Sequence, residues 1–317
     1  MNRAKSTCFR TAILSLCIIF LLPALSRGEK KIQIELFGGI SYINPKDFNL
    51  LSKAEEQYND IYFIEHVRSY GGYFINDFPE ITMPIPAGIR FKYRTSETLT
   101  FSLGLEGFIQ KRDYSVEGTF SWAPSWHETH SKEYDPYSMG LSGYSILGGI
   151  QYRIPIGDFT DIEIGVSAGW TFARIEFNST WTYTTDYFWD ESWNFYNVDG
   201  GTLEGDGSGS GLTAQGMLRL NRNIGQSFGL FVEANYTYCR IKTISGTGRE
   251  TRLGIPEENT WEGDWGIKKE EIHVGWGDAS ILVPTNYWNT WTENQYESDF
   301  ILDLSGVRLV FGFFVKL

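Results

Sequence analysis

The sequence predicts an all-β fold, a transmembrane antiparallel up-and-down β-barrel of eight strands with long connections at one end. Three observations carry that expectation. Eight segments alternate apolar and polar residues with period two, the repeat of a strand, where a helix would repeat every 3.6 residues. The polar phase of each segment holds one charge of a series, Glu35, Arg90, Glu106, Arg153, Glu163, Arg219, Glu233 and Arg308, alternating in sign along the chain while the opposite phase is almost wholly apolar. The connections between segments alternate short and long. A soluble sandwich turns its charges outward; here the apolar phase is read as facing lipid and the charges as lining a closed barrel.

The first segment, Lys31 to Ile43, sets Ile32, Ile34, Leu36, Ile40 and Tyr42 against Gln33, Glu35, Gly39 and Ser41. The second, Met83 to Arg94, sets Ile85, Ala87, Ile89, Phe91 and Tyr93 against Gly88, Arg90, Lys92 and Arg94. A turn at Thr95-Ser96-Glu97 leads to the third, where Leu99, Phe101, Leu103, Leu105 and Ile109 oppose Thr100, Ser102, Gly104, Glu106 and Gln110. The fourth sets Tyr144, Ile146, Ile150, Tyr152 and Ile154 against Ser145, Gly149, Gln151 and Arg153, and Gly157-Asp158 makes the next turn.

The fifth segment sets Ile162, Ile164, Val166, Ala168, Trp170 and Phe172 against Glu163, Gly165, Ser167, Gly169 and Thr171. In the sixth, Leu212, Ala214, Leu218 and Leu220 oppose Thr213, Gln215, Arg219 and Asn221. After Asn223-Ile224-Gly225 the seventh places Phe228, Leu230, Val232, Ala234, Tyr236 and Tyr238 against Gly229, Glu233, Asn235 and Thr237. The last offers Val307, Leu309, Phe311, Phe313, Val315 and Leu317 against Gly306, Arg308, Gly312 and Lys316.

Connections after the second, fourth and sixth segments are a few residues long, whereas the other four run from about 15 to over 50 residues. That asymmetry matches short periplasmic turns and long external loops, with both termini in the periplasm. Residues 1–26 read as a secretory signal: Arg3, Lys5 and Arg10, an apolar run from Thr11 to Leu25, and a small-x-small site at Ala24-Leu25-Ser26. Residues 27–317 then form the barrel domain. Loss of three cations takes the formal charge from -12 to about -15, a poor balance for nucleic-acid binding. Cys8 and Cys17 leave with the signal, so Cys239 stands alone, with no disulfide or thiolate metal cluster open to it, and is read as a small filler on a strand. The aromatic content of 16% suits belts at the membrane interfaces.

With those segments, turns and the C-terminal strand Gly306 to Leu317 in view, the chain resembles the small outer-membrane β-barrels of Gram-negative bacteria, the superfamily of the OmpA transmembrane domain, OmpX and OmpW. The resemblance covers the whole mature chain and rests on pattern and topology. It implies location in the bacterial outer membrane, contact with outer-membrane lipid and lipopolysaccharide, and recognition of the C-terminal strand by the barrel-assembly machinery. Those signals usually end in an aromatic residue, where this chain has Leu317.

A barrel of eight strands is just wide enough for side chains to fill it, so its inward charges should pair across strands. Glu35, Arg90, Glu106, Arg153, Glu163, Arg219, Glu233 and Arg308 are therefore expected to form a lumen charge network, with Lys92 and Arg94 as further inward cations. The connection after the fifth segment is rich in rings and acids, and Trp181, Trp189, Trp193 and Tyr196 are its candidate recognition residues for a glycan or other small solute. In the first long connection Asp47 caps a helical stretch with Phe48, Leu51, Ala54 and Tyr58 on one face. In the last, residues from Ile272 to Val283 are expected to form a projecting hairpin.

His127 and His130 make a His-x-x-His beside Glu128, but no HExxH or GxSxG pattern is present. No catalytic residue, cofactor or metal is expected. The leading expectation is a non-enzymatic outer-membrane barrel, structural or for small-solute binding or passage, with a salt-bridged polar lumen. The alternative is a surface-recognition, adhesin-type barrel binding a glycan or host surface through aromatic acidic loops. An outer-membrane lipid-modifying hydrolase is third.

Overall fold

A computed structural model describes residues 31–45, 49, 72–76, 80–122, 128–188, 194–252, 261–274, 277–284, 296–298 and 301–317. In it the period-two alternation becomes β-strands throughout, numbered in chain order. They are β1 (Ile32–Ile43), β2 (Gly72–Asn76), β3 (Ile85–Arg94), β4 (Leu99–Trp122), β5 (Glu128–Pro155), β6 (Thr160–Phe188) and β7 (Asn194–Asn223). They continue as β8 (Phe228–Ile241), β9 (Ser245–Arg252), β10 (Trp261–Val274), β11 (Gly277–Pro284), β12 (Tyr296–Ser298), β13 (Leu302–Asp303) and β14 (Gly306–Lys316). Eight of them, β1, β3 to β8 and β14, pair antiparallel with their neighbours, and β14 closes on β1. The fold class is therefore a closed eight-stranded antiparallel barrel, with further strands built onto one end.

Closure requires stagger, and the register supplies it. Glu35 faces Arg90, and the row runs on through Gly104, Leu147, Gly169 and Thr213 to Cys239. Cys239 accepts a hydrogen bond from Leu304, two residues before Gly306, whose partner on β1 is Ile43. One circuit thus climbs ten residues along β1, from position 35 to 45. That shear tilts every strand and sets the barrel's narrow bore.

The three short turns at one end share one construction. Thr95, Ile156 and Ile224 each donate to a carbonyl four residues on, at 3.0 Å, and the following residue donates to the same oxygen. Around the barrel wall Leu105, Ile150, Ile164, Val166, Leu218 and Phe311 are exposed on the outer face. Tyr144 and Phe172, partners on β5 and β6, stack with ring centroids 4.9 Å apart on that face. Among the described residues no helix is long and apolar enough to cross a membrane; the apolar outer belt belongs to strands, the build of an outer-membrane barrel.

The wall is lopsided. β1, β3 and β14 are 10 to 12 residues long, about the thickness of a tilted membrane strand. β4 to β7 have 24 to 30 residues, so the longest extends roughly 95 Å at about 3.3 Å per residue. Their outer halves continue into a sheet with β2 on one edge and β9, β10 and β11 on the other. Two connections expected to be long loops are therefore mostly strand: β4 passes to β5 through residues 123–127, and β6 to β7 through residues 189–193. The expected hairpin at Ile272 to Val283 is present as β10 and β11, with Ile272 opposite Ala279. The helical stretch expected after Asp47 lies outside the described residues except for Asn49, which donates its backbone N–H to Pro45 and clamps both backbone groups of Ile81 with its side chain.

Inside, four phenylalanines each lie over a glycine directly opposite on the next strand: Phe37 over Gly88, Phe108 over Gly143, Phe231 over Gly312 and Phe314 over Gly229. A Cβ on Gly88 would stand 2.6 Å from the Phe37 ring and 2.5 Å from the Leu105 carbonyl oxygen. Ring rotation relieves only the first contact. Gly88→Val is expected to destabilise the barrel by about 1–3 kcal/mol, read as a lower melting temperature of the heat-resistant band on gels. On the opposite face Ile164, half exposed to lipid, gives the complementary test. Ile164→Arg should cost about 2–4 kcal/mol in urea unfolding from lipid vesicles, and an unchanged midpoint would overturn the outward assignment of that face.

Candidate functional site: the barrel lumen

Inward residues build the lumen in layers, and their order follows from the tilt. Nearest the short turns are Arg94, Arg153, Asp161 and Lys316. Above them comes a fully enclosed ionic layer of Glu35, Arg90, Lys92, Glu163, Arg219 and Glu233. Next stand Glu106 and Arg308, and then an apolar layer closes the end from which the tall wall rises.

The ionic layer is one connected cluster. Arg90 grips Glu233 with both terminal nitrogens, Nη1 to Oε2 at 2.7 Å and Nη2 to Oε1 at 3.0 Å, and reaches Glu35 at 3.4 Å. Arg219 Nη1 donates to Glu35 Oε2 at 2.7 Å and lies 3.6 Å from Glu233. Lys92 Nζ bridges Glu35 at 3.1 Å and Glu163 at 2.5 Å. Gln33 and Asn235 add neutral donors to Glu35 and Glu233, and Asn221 accepts from Arg219 Nε at 2.6 Å. The guanidinium carbon of Arg219 sits 3.5 Å from the centroid of the Phe231 ring, a cation–π contact that closes its remaining face. Glu35 and Glu233 are 0% exposed and Arg219 1%. Three carboxylates meet three cations here, so the layer is neutral.

All eight residues of the alternating series point inward, but their partners differ from simple neighbour pairing. Arg90 faces Glu35 in the register, yet its bidentate partner is Glu233 across the lumen. Arg153 faces Glu163 but pairs with Asp161 at 2.7 Å, while Glu163 turns to Lys92. Glu106 pairs with Arg308 and accepts from Gln215 at 3.4 Å. Side chains longer than the strand spacing choose partners by position in the bore as well as by adjacency. Asp161 lies outside the sequence-derived series, although it shares the phase of Glu163 two residues on.

The apolar layer is also absent from the sequence reading, which took the inward phase as polar. Phe108, Met139, Leu141, Ile175, Cys239 and Ile241 project inward from the wall and are buried. Ile81, Ile244 and Leu304 reach them from the connections, and Leu302 from β13. Ser41 fastens this arrangement with a 2.5 Å hydrogen bond to the Pro84 carbonyl, Met83 donates its backbone N–H to Gln110 at 2.9 Å, and Ser305 Oγ accepts from the Cys239 N–H at 3.1 Å. The signal lay in the strand tops, where the inward phase turns from Glu106 to Phe108 and from Ser145 to Leu141.

The candidate recognition residues are not on a free loop. Trp181 lies in β6 opposite Gly201, and Tyr196 lies in β7 opposite Asp186. Trp189 and Trp193 lie outside the described residues. Asp199, Glu204 and Asp206 lie in β7, and Asp206 accepts from Arg174 Nε at 2.8 Å. His130 lies in β5 opposite Asp186, whereas His127 lies outside the described residues. Among the described residues no group of His, Cys, Asp and Glu is placed to hold a metal ion.

No family model matches the chain, and no curated relative matches it. Among solved structures, the deltaS2 mutant of the TodX monoaromatic hydrocarbon channel overlaps 92% of this chain and 92% of its own at 6% identity, with a TM-score of 0.19.

Glu35 is the hub of the ionic layer. Glu35→Gln should lower unfolding free energy by about 3–5 kcal/mol, because it leaves Arg219 and Lys92 with an uncompensated buried charge. Arg153→Gln, at a half-open rim position, should cost clearly less in the same urea titration; equal losses would contradict the hub assignment.

Proposed function

We propose that the chain is a non-enzymatic outer-membrane β-barrel that stands closed and holds a tall sheet above the membrane, where its recognition function resides. The observation that carries this reading is the doubly blocked lumen. A neutral ionic layer, with Glu35, Arg219 and Glu233 withdrawn from solvent, lies beneath a buried apolar layer centred on Phe108, Leu141 and Ile241. An ion crossing the bore would have to break charge-assisted hydrogen bonds and then leave water altogether.

Strands β4 to β7 extend well past the membrane thickness, and their upper backbone bears Trp181, Tyr183, Tyr187 and Tyr196, rings suited to sugar faces or another surface. In this reading the termini are periplasmic, residues 1–26 are a removed export signal, and Gly306 to Leu317 is the strand the assembly machinery reads. Kinship with the OmpA transmembrane domain, OmpX and OmpW is part of the same proposal.

The competing reading, small-solute passage, draws on the fact that side chains, not backbone, block the bore. Recordings of the purified protein in planar bilayers separate the two. The closed barrel is expected to be electrically silent across ±100 mV, a span worth about 2.3 kcal/mol per charge per 100 mV. Ohmic openings in the unmodified protein, lost on adding bulk at the apolar layer by Ala173→Phe, would overturn closure and establish passage.

A further inference from the structure

Among the described residues, every charged layer of the bore balances except the one at the short-turn mouth. The enclosed layer is neutral, and Glu106 is matched by Arg308. Among the described residues, Arg94, Arg153 and Lys316 at the mouth meet a single inward carboxylate, Asp161, which Arg153 already engages; Lys31, which precedes β1 and lies opposite Arg94, has its own partner. Arg94 ends β3 and Lys316 ends β14, two strands that flank β1. On β1, Gln33 lies opposite Lys316 on one side and Lys92 on the other, and Lys31 lies opposite Arg94.

The mouth cations feel one another. Arg94 lies within electrostatic reach of Arg153, and Lys316 within reach of both, with Asp161 and Glu163 as the opposing charges. Among the described residues Lys316 Nζ has neutral partners, Asn223 Oδ1 at 2.5 Å and the Phe314 ring, whose centroid is 5.3 Å away. Arg94 makes no side-chain hydrogen bond or ion pair among the described residues, and neither does the buried Nε of Arg153. Glu97 and Asp158 are near the same end, but they sit in the exposed turns.

Repulsion among three like charges in so narrow a ring is costly unless an anion joins them. We infer that the short-turn mouth is an oxyanion site, in which Arg94, Arg153 and Lys316 converge on a phosphate group. Guanidinium forks suit its paired oxygens, and the ammonium of Lys316 adds a third, less directional donor. The phosphate has two sources of one chemistry: a free phosphate or phosphomonoester entering the mouth, or the head group of a lipid in the adjoining leaflet.

The full chain folded in neutral detergent micelles, titrated with inorganic phosphate by calorimetry, tests the site without any membrane and so independently of the closed-channel reading. Saturable binding is expected, weakened at least about tenfold by Arg94→Gln with Lys316→Gln. The variant's heat-resistant gel migration serves as the check on folding. In phosphatidylcholine nanodiscs, phosphate binding that persists when phosphatidylglycerol is added identifies the free oxyanion. Phosphate binding abolished by phosphatidylglycerol in the unmodified protein identifies the lipid head group. No saturable phosphate binding in micelles together with no effect of phosphatidylglycerol on melting temperature would overturn the site, as would equal phosphate affinity in the folded double variant. Should the double variant fail to fold, the single Arg94→Gln, at a rim position, reads the same loss.

Discussion

Packing charge into a bore too narrow for bulk water is the constraint on which the rest of this structure depends. An eight-stranded wall with a shear of ten leaves room for side chains and little else, so each inward carboxylate must find cations within the ring. Glu35 meets the requirement with Arg219, Lys92 and Arg90 at once. Because those three cations come from β3 and β7, the cluster ties opposite sides of the barrel across its axis as well as neighbouring strands. The outer face gives no comparable cohesion, since lipid tails are as apolar as the side chains they touch. In a membrane, the specificity that a soluble protein draws from an apolar core falls to the lumen.

The four phenylalanine–glycine pairs serve the same narrow geometry by another route. An inward glycine removes a side chain where the wall curves most closely, and the ring from the adjoining strand fills the space thus left. Phe231 does both jobs, covering Gly312 while its face receives the guanidinium of Arg219. Apolar packing and ion pairing are therefore coupled through single residues. A change at one of these rings acts on both.

The membrane-spanning part of the fold was legible in the sequence because lipid and lumen impose opposite demands on alternate residues. Ile162, Ile164 and Val166 against Glu163, Gly165 and Ser167 can be read only one way. The strand extensions were not legible because that contrast disappears once both faces meet water. Thr180 to Thr184 still alternates Thr with Trp and Tyr, but neither phase is charged or aliphatic, so the run carries β-propensity without setting a lipid face against a lumen face. The inward charges were legible by phase, but not their partners, since the pairing of Arg90 with Glu233 depends on how shear brings distant positions to one level. The apolar layer was hidden for a related reason. Its wall residues lie where the polar phase gives way, Ile81 and Leu304 come from connections in which no period exists, and Leu302 comes from the two-residue β13, too short to show one.

The two ends of the bore thus solve opposite problems. At the tall end an apolar layer removes water, so any charge left there would be stranded, and the inward positions of β4 to β6 are Phe108, Leu141, Ala173 and Ile175. At the short end the wall stops at tight turns, cations are in excess among the described residues, and the mouth is polar. This asymmetry gives the barrel a direction that its nearly symmetrical strands do not. A solute approaching from the short end meets an excess of cations, then a charge-neutral cluster, then an apolar layer. Such a sequence fits the proposed binding at the mouth better than passage, and among the described residues the elongated β4 to β7 sheet stands clear of the ionic layers that hold the barrel together.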